Sequence, residues 1–187
     1  MSTSDDLKQT ILRLNPISYV VLGLIGLRGP STPYELKRAT GRSIAYFWPF
    51  PHAQLYTEPA RLAEAGLLDE EREIGGRNRK TYNLTEAGRQ ALSNWLARPP
   101  EEFFELRDTA LIQLFFGRFG TTEQLVSLAE SQLEAHRRRL EIYSEIESTG
   151  TARFGRSRRM ASLRCGILIE KAYIEFWEDI AANPPES

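Results

Sequence analysis

The segment Gly75-Gly76-Arg77-Asn78-Arg79-Lys80 constrains the fold more than any other stretch of this chain. Two adjacent glycines allow a tight reversal. The flanking runs, Leu67 to Ile74 and Lys80 to Leu84, read as strands, the second with clear alternation. Together they predict a β-hairpin whose tip carries three cations. A helix ending in Leu62-Ala63-Glu64-Ala65-Gly66-Leu67-Leu68 precedes it, and Thr85-Glu86-Ala87-Gly88 opens another after it. Helix, hairpin and positive tip in that order are the sequence form of a winged helix facing DNA.

Upstream, Leu7, Ile11 and Leu14 stand at helical spacing and predict a short N-terminal helix. Asn15-Pro16 reads as a helix start, with Asn as N-cap and Pro in the first turn. Ile17, Val20, Val21, Leu24 and Leu27 then form one apolar stripe, and Arg28-Gly29-Pro30 ends the helix. Thr32 and Glu35 have capping-box spacing with Pro33 between them, which opens a second helix reaching Thr40-Gly41. After the aromatic, Pro-rich turn Tyr46 to Pro51, a third helix is expected from His52 to Ala65. Pro59 falls inside it. Proline removes a backbone bond there and costs about 3 kcal/mol or more, so a bend is expected near Thr57 or Glu58. The helix after the hairpin carries Leu92, Trp95 and Leu96 and breaks at Arg98-Pro99-Pro100.

That break divides the chain into an N-terminal winged helix-turn-helix domain, 1–98, and a helical C-terminal domain, 99–187. The second domain is expected to be wholly helical: about Glu102 to Phe119, Thr121 to about Ser148, a loop over Thr149 to Gly155, and Ser157 to Ala182. The fold class is mainly α with a small β-hairpin.

Of 187 residues, 41% are hydrophobic, enough to bury a core. The net charge of −1 argues against a nucleic-acid binder, but the charge is uneven. Arg28 to Arg98 carries a net +3 and the remainder −4, as suits a DNA-binding head joined to a partner-binding region. Cys165 is the sole cysteine, so no internal disulfide or Cys-rich metal site exists, and it reads as a small core residue. No apolar signal core or membrane-length run occurs, and a cytoplasmic protein is expected. His52 and His136 are the only histidines and lie in different domains without a paired ligand. With no phosphate-binding Gly loop either, an enzyme, a metal or another cofactor is not expected.

At about 100° per residue, Leu55 and Leu62 share one face of the third helix, flanked by Glu58 and Pro59. The opposite face carries Ala53, Thr57, Ala60 and Glu64, with Gln54 and Arg61 at its edge. Small residues let a helix settle deep in a major groove. Gln54 can pair bidentately with adenine, and Thr57 can meet a base edge or a thymine methyl. Recognition helices lead with their N-terminal residues, which favours His52 to Thr57. Tyr56 and Arg61 are better placed for phosphate. At the wing, Arg77, Arg79 and Lys80 can each neutralise a phosphate and Asn78 can hydrogen-bond. Thr32 and Tyr34 open the second helix, where backbone N–H groups favour an anion. A charged hairpin tip is also common as a plain solvated turn. A winged helix can instead serve as a protein-binding module without DNA binding. Steep salt dependence separates the two.

These residues resemble the PadR-like family of bacterial winged-helix transcriptional regulators. The matching stretches run from Ile17-Ser18-Tyr19-Val20-Val21-Leu22-Gly23-Leu24-Ile25 through Gly29-Pro30, Tyr34-Glu35-Leu36, Phe47-Trp48-Pro49, Gln54-Leu55-Tyr56, Arg61-Leu62 and Gly66-Leu67-Leu68. Gly76-Arg77, Arg79-Lys80, Tyr82, Leu84-Thr85 and Gly88 complete the set. Asn78, Pro51 and Pro59-Ala60 depart from the family pattern. The resemblance implies a homodimer acting as a repressor on symmetric double-stranded DNA half-sites. It also implies the subfamily with a larger helical C-terminal domain, beginning at Glu105-Leu106-Arg107-Asp108.

In the last helix, Leu163, Ile167, Ile174 and Trp177 lie near one face, while Cys165, Leu168, Ile169, Ala172, Phe176 and Ile180 cover another. Apolar surface this wide needs two partners, the chain's own core and a second subunit. Leu163, Ile167, Leu168, Ile174, Phe176, Trp177 and Ile180 are the expected interface. Arg137-Arg138-Arg139 reads as a salt-bridged helix face with Glu134 and Glu141 nearby. Some relatives bind flat phenolic ligands between aromatic side chains. Trp95, Phe103, Phe104 and Trp177 are the candidates here for an aromatic small-molecule effector, although aromatics at helical spacing are usually core.

Overall fold

The computed structural model describes residues 13–73, 79–101, 105–155 and 157–185. The upstream helix over Leu7 and Ile11 therefore lies outside the described residues. The chain divides into two compact units, 1–103 and 104–187.

The first unit holds α1 (Pro16–Arg28), α2 (Pro33–Thr40), α3 (Gln54–Glu64), β1 (Leu68–Arg72), β2 (Lys80–Leu84) and α4 (Glu86–Leu96). Its helices begin where side chains satisfy otherwise unpaired N–H groups. Asn15 Oδ1 accepts from the Ser18 N–H at 3.1 Å, and the Asn15 N–H returns a bond to Ser18 Oγ at 3.0 Å. Thr32 and Glu35 form the same reciprocal box on α2. Each such cap contributes about 1 kcal/mol.

The expected stripe on α1 is too narrow. Leu22 and Ile25 are also buried, whereas Leu27 is 80% exposed. The helix is apolar almost all round because α2, α3, α4 and β2 all pack against it. Val21, Leu22, Leu36, Leu55, Leu62, Leu68 and Tyr82 close the core.

The strands pair antiparallel in the register Leu68↔Leu84 to Arg72↔Lys80. Ser31 adds a single bridge to the free edge of β2, exchanging N–H···O bonds with Tyr82 at 3.1 and 3.0 Å. This anchors the hairpin to the approach of α2. Helix α4 crosses tightly at Gly88, where a Cβ would lie 2.1 Å from the Leu67 carbonyl oxygen.

The second unit holds α5 (Thr109–Phe115), a 3-10 turn at Gly117–Phe119, α6 (Thr122–Phe154) and α7 (Arg158–Ala182). Helices α6 and α7 pair along their length, and Trp177 is fully buried with Ala110, Ala129 and Leu133. Helix α5 starts later than Glu102, because Asp108 caps it by accepting the Ala110 N–H at 2.8 Å. Helix α6 runs past Ser148 through the expected loop. The Thr149 hydroxyl is satisfied by the Glu145 carbonyl, and Gly150 faces the Met160 sulfur, 2.9 Å from where a Cβ would stand. Cys165 is exposed, not part of the core.

Candidate nucleic-acid interface

Helix α3 has one buried face made of Leu55, Glu58, Pro59 and Leu62. It opens with i→i−3 bonds: Gln54 N–H to Pro51, Leu55 to His52 and Tyr56 to Ala53, at 3.0–3.1 Å. The α-helix therefore begins at Gln54, two residues later than expected, and His52 and Ala53 form the turn leading into it. It continues without interruption through Pro59 to Glu64. His52, Ala53, Gln54, Tyr56 and Thr57 are all exposed, and Tyr56 keeps 47% of its surface. Burial of one face thus fixes the helix, and the expected base-reading side chains stand together on the other.

Arg61 does not join them. Its Nη2 and Nε donate to the Glu58 carboxylate at 2.6 and 2.9 Å, and Nη2 also reaches Ser18 Oγ at 3.0 Å. Ser18 Oγ donates to Glu58 Oε1 at 2.6 Å. The hydroxyl's proton and lone pairs are all engaged. The bond to Glu58 raises the Arg61 pKa still further above its ordinary value. The side chain expected at phosphate instead ties α3 to α1, through partners the sequence spacing could not reveal.

Thr32 is also withdrawn. It is 6% exposed, and both its N–H and its Oγ1 donate to Glu35 Oε2 at 2.8 Å. The anion-favouring start of α2 is thus filled by the protein's own carboxylate. The Thr32 backbone bond, the hydroxyl and Arg79 together hold Glu35 below the usual carboxylate range. Tyr34, by contrast, is 60% exposed.

At the wing, Arg77 and Asn78 lie outside the described residues. Arg79 Nη2 donates to Glu35 Oε1 at 3.0 Å, and Lys80 Nζ to Glu70 Oε2 at 3.1 Å. Glu70 also accepts from Arg72 Nε at 2.7 Å and from the Tyr82 hydroxyl at 3.0 Å. The Arg72 bond, with Lys80 and Tyr82, lowers its pKa to about 2. Burial, then the hydrogen bond to Glu70 and its charge, raises the Tyr82 pKa to about 12. Both described wing cations therefore sit at the surface with carboxylate partners.

Sequence reasoning passed over Lys37, Arg38 and Arg42, at and just beyond the end of α2. No ion pair engages them among the described residues. Lys37 and Arg38 lie in the last turn of α2, where cations also complement the helix dipole.

In the second unit the three arginines of α6 are paired, Arg137 with Glu178, Arg138 with Glu134 and Arg139 with Glu170. Glu134 is thus a partner, as read, but Glu178 and Glu170 come from α7. Ile167 and Trp177 are buried in the unit's own core, and Ile174 and Ile180 pack against the cluster that holds Trp177. Leu163 is half-buried. Ile167 and Trp177 therefore present no free surface, and Leu163, Ile174 and Ile180 only part of theirs. Leu168 and Phe176 are 58% and 39% exposed, beside exposed Cys165, Ile169 and Ala172. Of the aromatic candidates, Trp95 stacks on Tyr19 with centroids 4.5 Å apart, Trp177 is fully enclosed, and Phe103 and Phe104 lie outside the described residues. No helix among the described residues is long and apolar enough to cross a membrane, and no cluster among them could hold a metal.

Two family models match in tandem. Transcriptional regulator PadR-like family covers residues 21–94, and Virulence activator alpha C-term covers 106–183. The chain is 25% identical over 126 residues to the negative transcriptional regulator PadR of Bacillus subtilis, spanning 66% of this chain and 69% of that protein. A crystal structure of B. subtilis PadR in complex with operator DNA superposes with a TM-score of 0.80 at 24% identity, over 90% of this chain and 98% of that one. Another, in complex with p-coumaric acid, gives 0.74 at 21% identity over 94% and 100%. The Vibrio cholerae virulence activator AphA gives 0.68 at 27% identity over 89% and 96%. Residues 21–94 thus carry the domain of the PadR-like transcriptional regulators, followed by the larger helical C-terminal segment that the second model matches.

Proposed function

We propose that this protein is a homodimeric, sequence-specific DNA-binding transcriptional regulator that represses, working in the cytoplasm. One observation carries the reading: α3 buries one face and leaves His52, Ala53, Gln54, Tyr56 and Thr57 together on the other, in a fold that B. subtilis PadR presents to operator DNA. Domain 1–98 reads the DNA and domain 99–187 dimerises. Helix α3 enters the major groove, and Lys37, Arg38, Arg42 and the wing meet flanking phosphates. Base contacts supply sequence preference and phosphate contacts set register. The exposed stripe of α7 supports the second subunit, since it lies opposite the face already used by the unit's own core. The negative regulator of B. subtilis supports repression, and its p-coumaric acid complex supports an aromatic small-molecule effector.

Fluorescence anisotropy tests this with a labelled duplex spanning the gene's upstream region, titrated at several salt concentrations against a random duplex. Tighter binding to the upstream duplex is expected, with affinity falling steeply as salt rises. No binding to either duplex at low salt, by folded dimer, would overturn it.

A further inference from the structure

From Ser43 to Thr57 the chain has no Asp, Glu, Lys or Arg. This stretch forms the whole approach to α3 and its first turn. The next charged residue, Glu58, is 7% exposed, with its carboxylate held by Ser18 and Arg61. Arg61 is tied up in the same contact. What this stretch does expose is amide, hydroxyl, imidazole, methyl and aromatic surface, including Phe47 at 64% and Trp48 at 47% in the approach to the helix.

Base edges differ in what they ask of a protein. Guanine is read most often by Arg or Lys across O6 and N7, and cytosine by a carboxylate accepting from N4. Neither group is free at the leading end of α3. Adenine is read by Asn or Gln across N6 and N7, and thymine by apolar contact with its methyl group. Gln54 fits the first, and Ala53, Thr57 and the aromatic approach fit the second. His52 can donate to N7, which both purines carry, so it does not favour guanine by itself.

We infer that the leading face of α3 reads an A·T half-site, with Gln54 on adenine and the methyls of thymine taken up by the uncharged surface around Ala53 and Thr57. The inference rests on the DNA-binding reading and adds the class of sequence it selects.

The test is selection of full-length protein on a randomised duplex pool, followed by anisotropy on the selected half-site. A·T pairs are expected at the positions whose preference changes in Gln54→Ala, with discrimination there falling by about 5- to 150-fold. Replacing thymine by uracil at the core should weaken binding by about fourfold for each methyl that is fully buried. Both side chains are exposed, so Gln54→Ala and Thr57→Ala leave the folded state intact. Three results would overturn the inference while leaving DNA binding in place: a G·C core at these positions, equal affinity for thymine and uracil duplexes, or base preferences unchanged in both variants. Failure of folded dimer to retain any of the pool at low salt would instead remove the DNA-binding reading on which it rests.

Discussion

Arg61→Ala separates two roles that the sequence alone confuses. A surface arginine that touches only phosphate should leave stability within about 0.5 kcal/mol and lower the salt slope of DNA binding by about 0.9. The structure assigns Arg61 elsewhere. Its loss removes two of the three short bonds to a Glu58 carboxylate that is almost wholly buried, leaving only Ser18 Oγ. Breaking one side of a buried ion pair costs about 3–5 kcal/mol. The Arg61 side chain is 36% exposed and water can enter where it stood, so a loss of about 2–3 kcal/mol is expected. Glu58→Gln removes the stranded charge while keeping a group that can accept from Ser18. The double variant should therefore be more stable than the sum of the single losses predicts, with coupling on the order of 1–2 kcal/mol. Urea unfolding at fixed protomer concentration measures all four proteins, and anisotropy below their transitions gives the salt slope. Arg61→Ala with unchanged stability, no coupling to Glu58 and a reduced salt slope would refute the argument and return Arg61 to the phosphate backbone.

Replacing Lys37, Arg38 and Arg42 together by Ala should reduce the salt slope by about 0.9 for each residue that meets a phosphate, with little change in unfolding midpoint; an unchanged slope would exclude these positions from the interface. Leu168→Glu with Phe176→Glu places two charges on the uncovered stripe of α7 and should give folded monomer in analytical ultracentrifugation, whereas a persistent dimer would locate the interface elsewhere. Glu70 has a folded pKa of about 2, below its ordinary 4.5, so its contribution is present above about pH 4.5 and lost as pH falls toward 2. At a partly exposed site this amounts to about 1 kcal/mol or less. Glu70→Gln should flatten stability across that window, and parallel acid curves for the two proteins would contradict the assignment. Gly88→Ala would place a Cβ 2.1 Å from the Leu67 carbonyl oxygen and should lower stability by more than about 2 kcal/mol in thermal unfolding, with loss of the α4 contact.

The features legible from sequence are those decided within a few residues. Asn15-Pro16, Thr32 with Glu35, Thr121 with Gln124 and Ser157 all stand at the helix starts they announce, because capping is a contact between a residue and its third neighbour. The alternation of Leu55, Glu58, Pro59 and Leu62 against Gln54, Tyr56 and Thr57 follows from helical period alone. The partners of Arg61 and Arg79 were not legible, because Ser18 and Glu35 are 43 and 44 residues away. The last turns of α6 failed for another reason. Thr149, Gly150 and Thr151 have weak helix propensity, yet the partner helix α7 holds the segment through Met160 against Gly150. Cys165 was misread as core because hydrophobicity shows that a face is apolar without showing what covers it.

The net charge of the first unit is a poor guide to its affinity for DNA, because burial decides which cations can change partners. Arg61 and Arg79 each hold a carboxylate at hydrogen-bond distance, and by charge they are equivalent. The Arg79–Glu35 pair has 57% and 38% of its side-chain surface in water. An exposed pair of that kind contributes about 1 kcal/mol or less, so an arriving phosphate can take the guanidinium at little cost. Glu35 keeps its bonds from Thr32 when Arg79 leaves and is not stranded. The Arg61–Glu58 pair offers no such exchange. Glu58 retains only 9% side-chain exposure, and drawing Arg61 toward a phosphate would abandon a buried charge and loosen the seat of α3 on α1. The same residue type thus serves the backbone contact at one position and the aim of the recognition helix at another, and what separates the two is whether the acid left behind has water or other donors to fall back on.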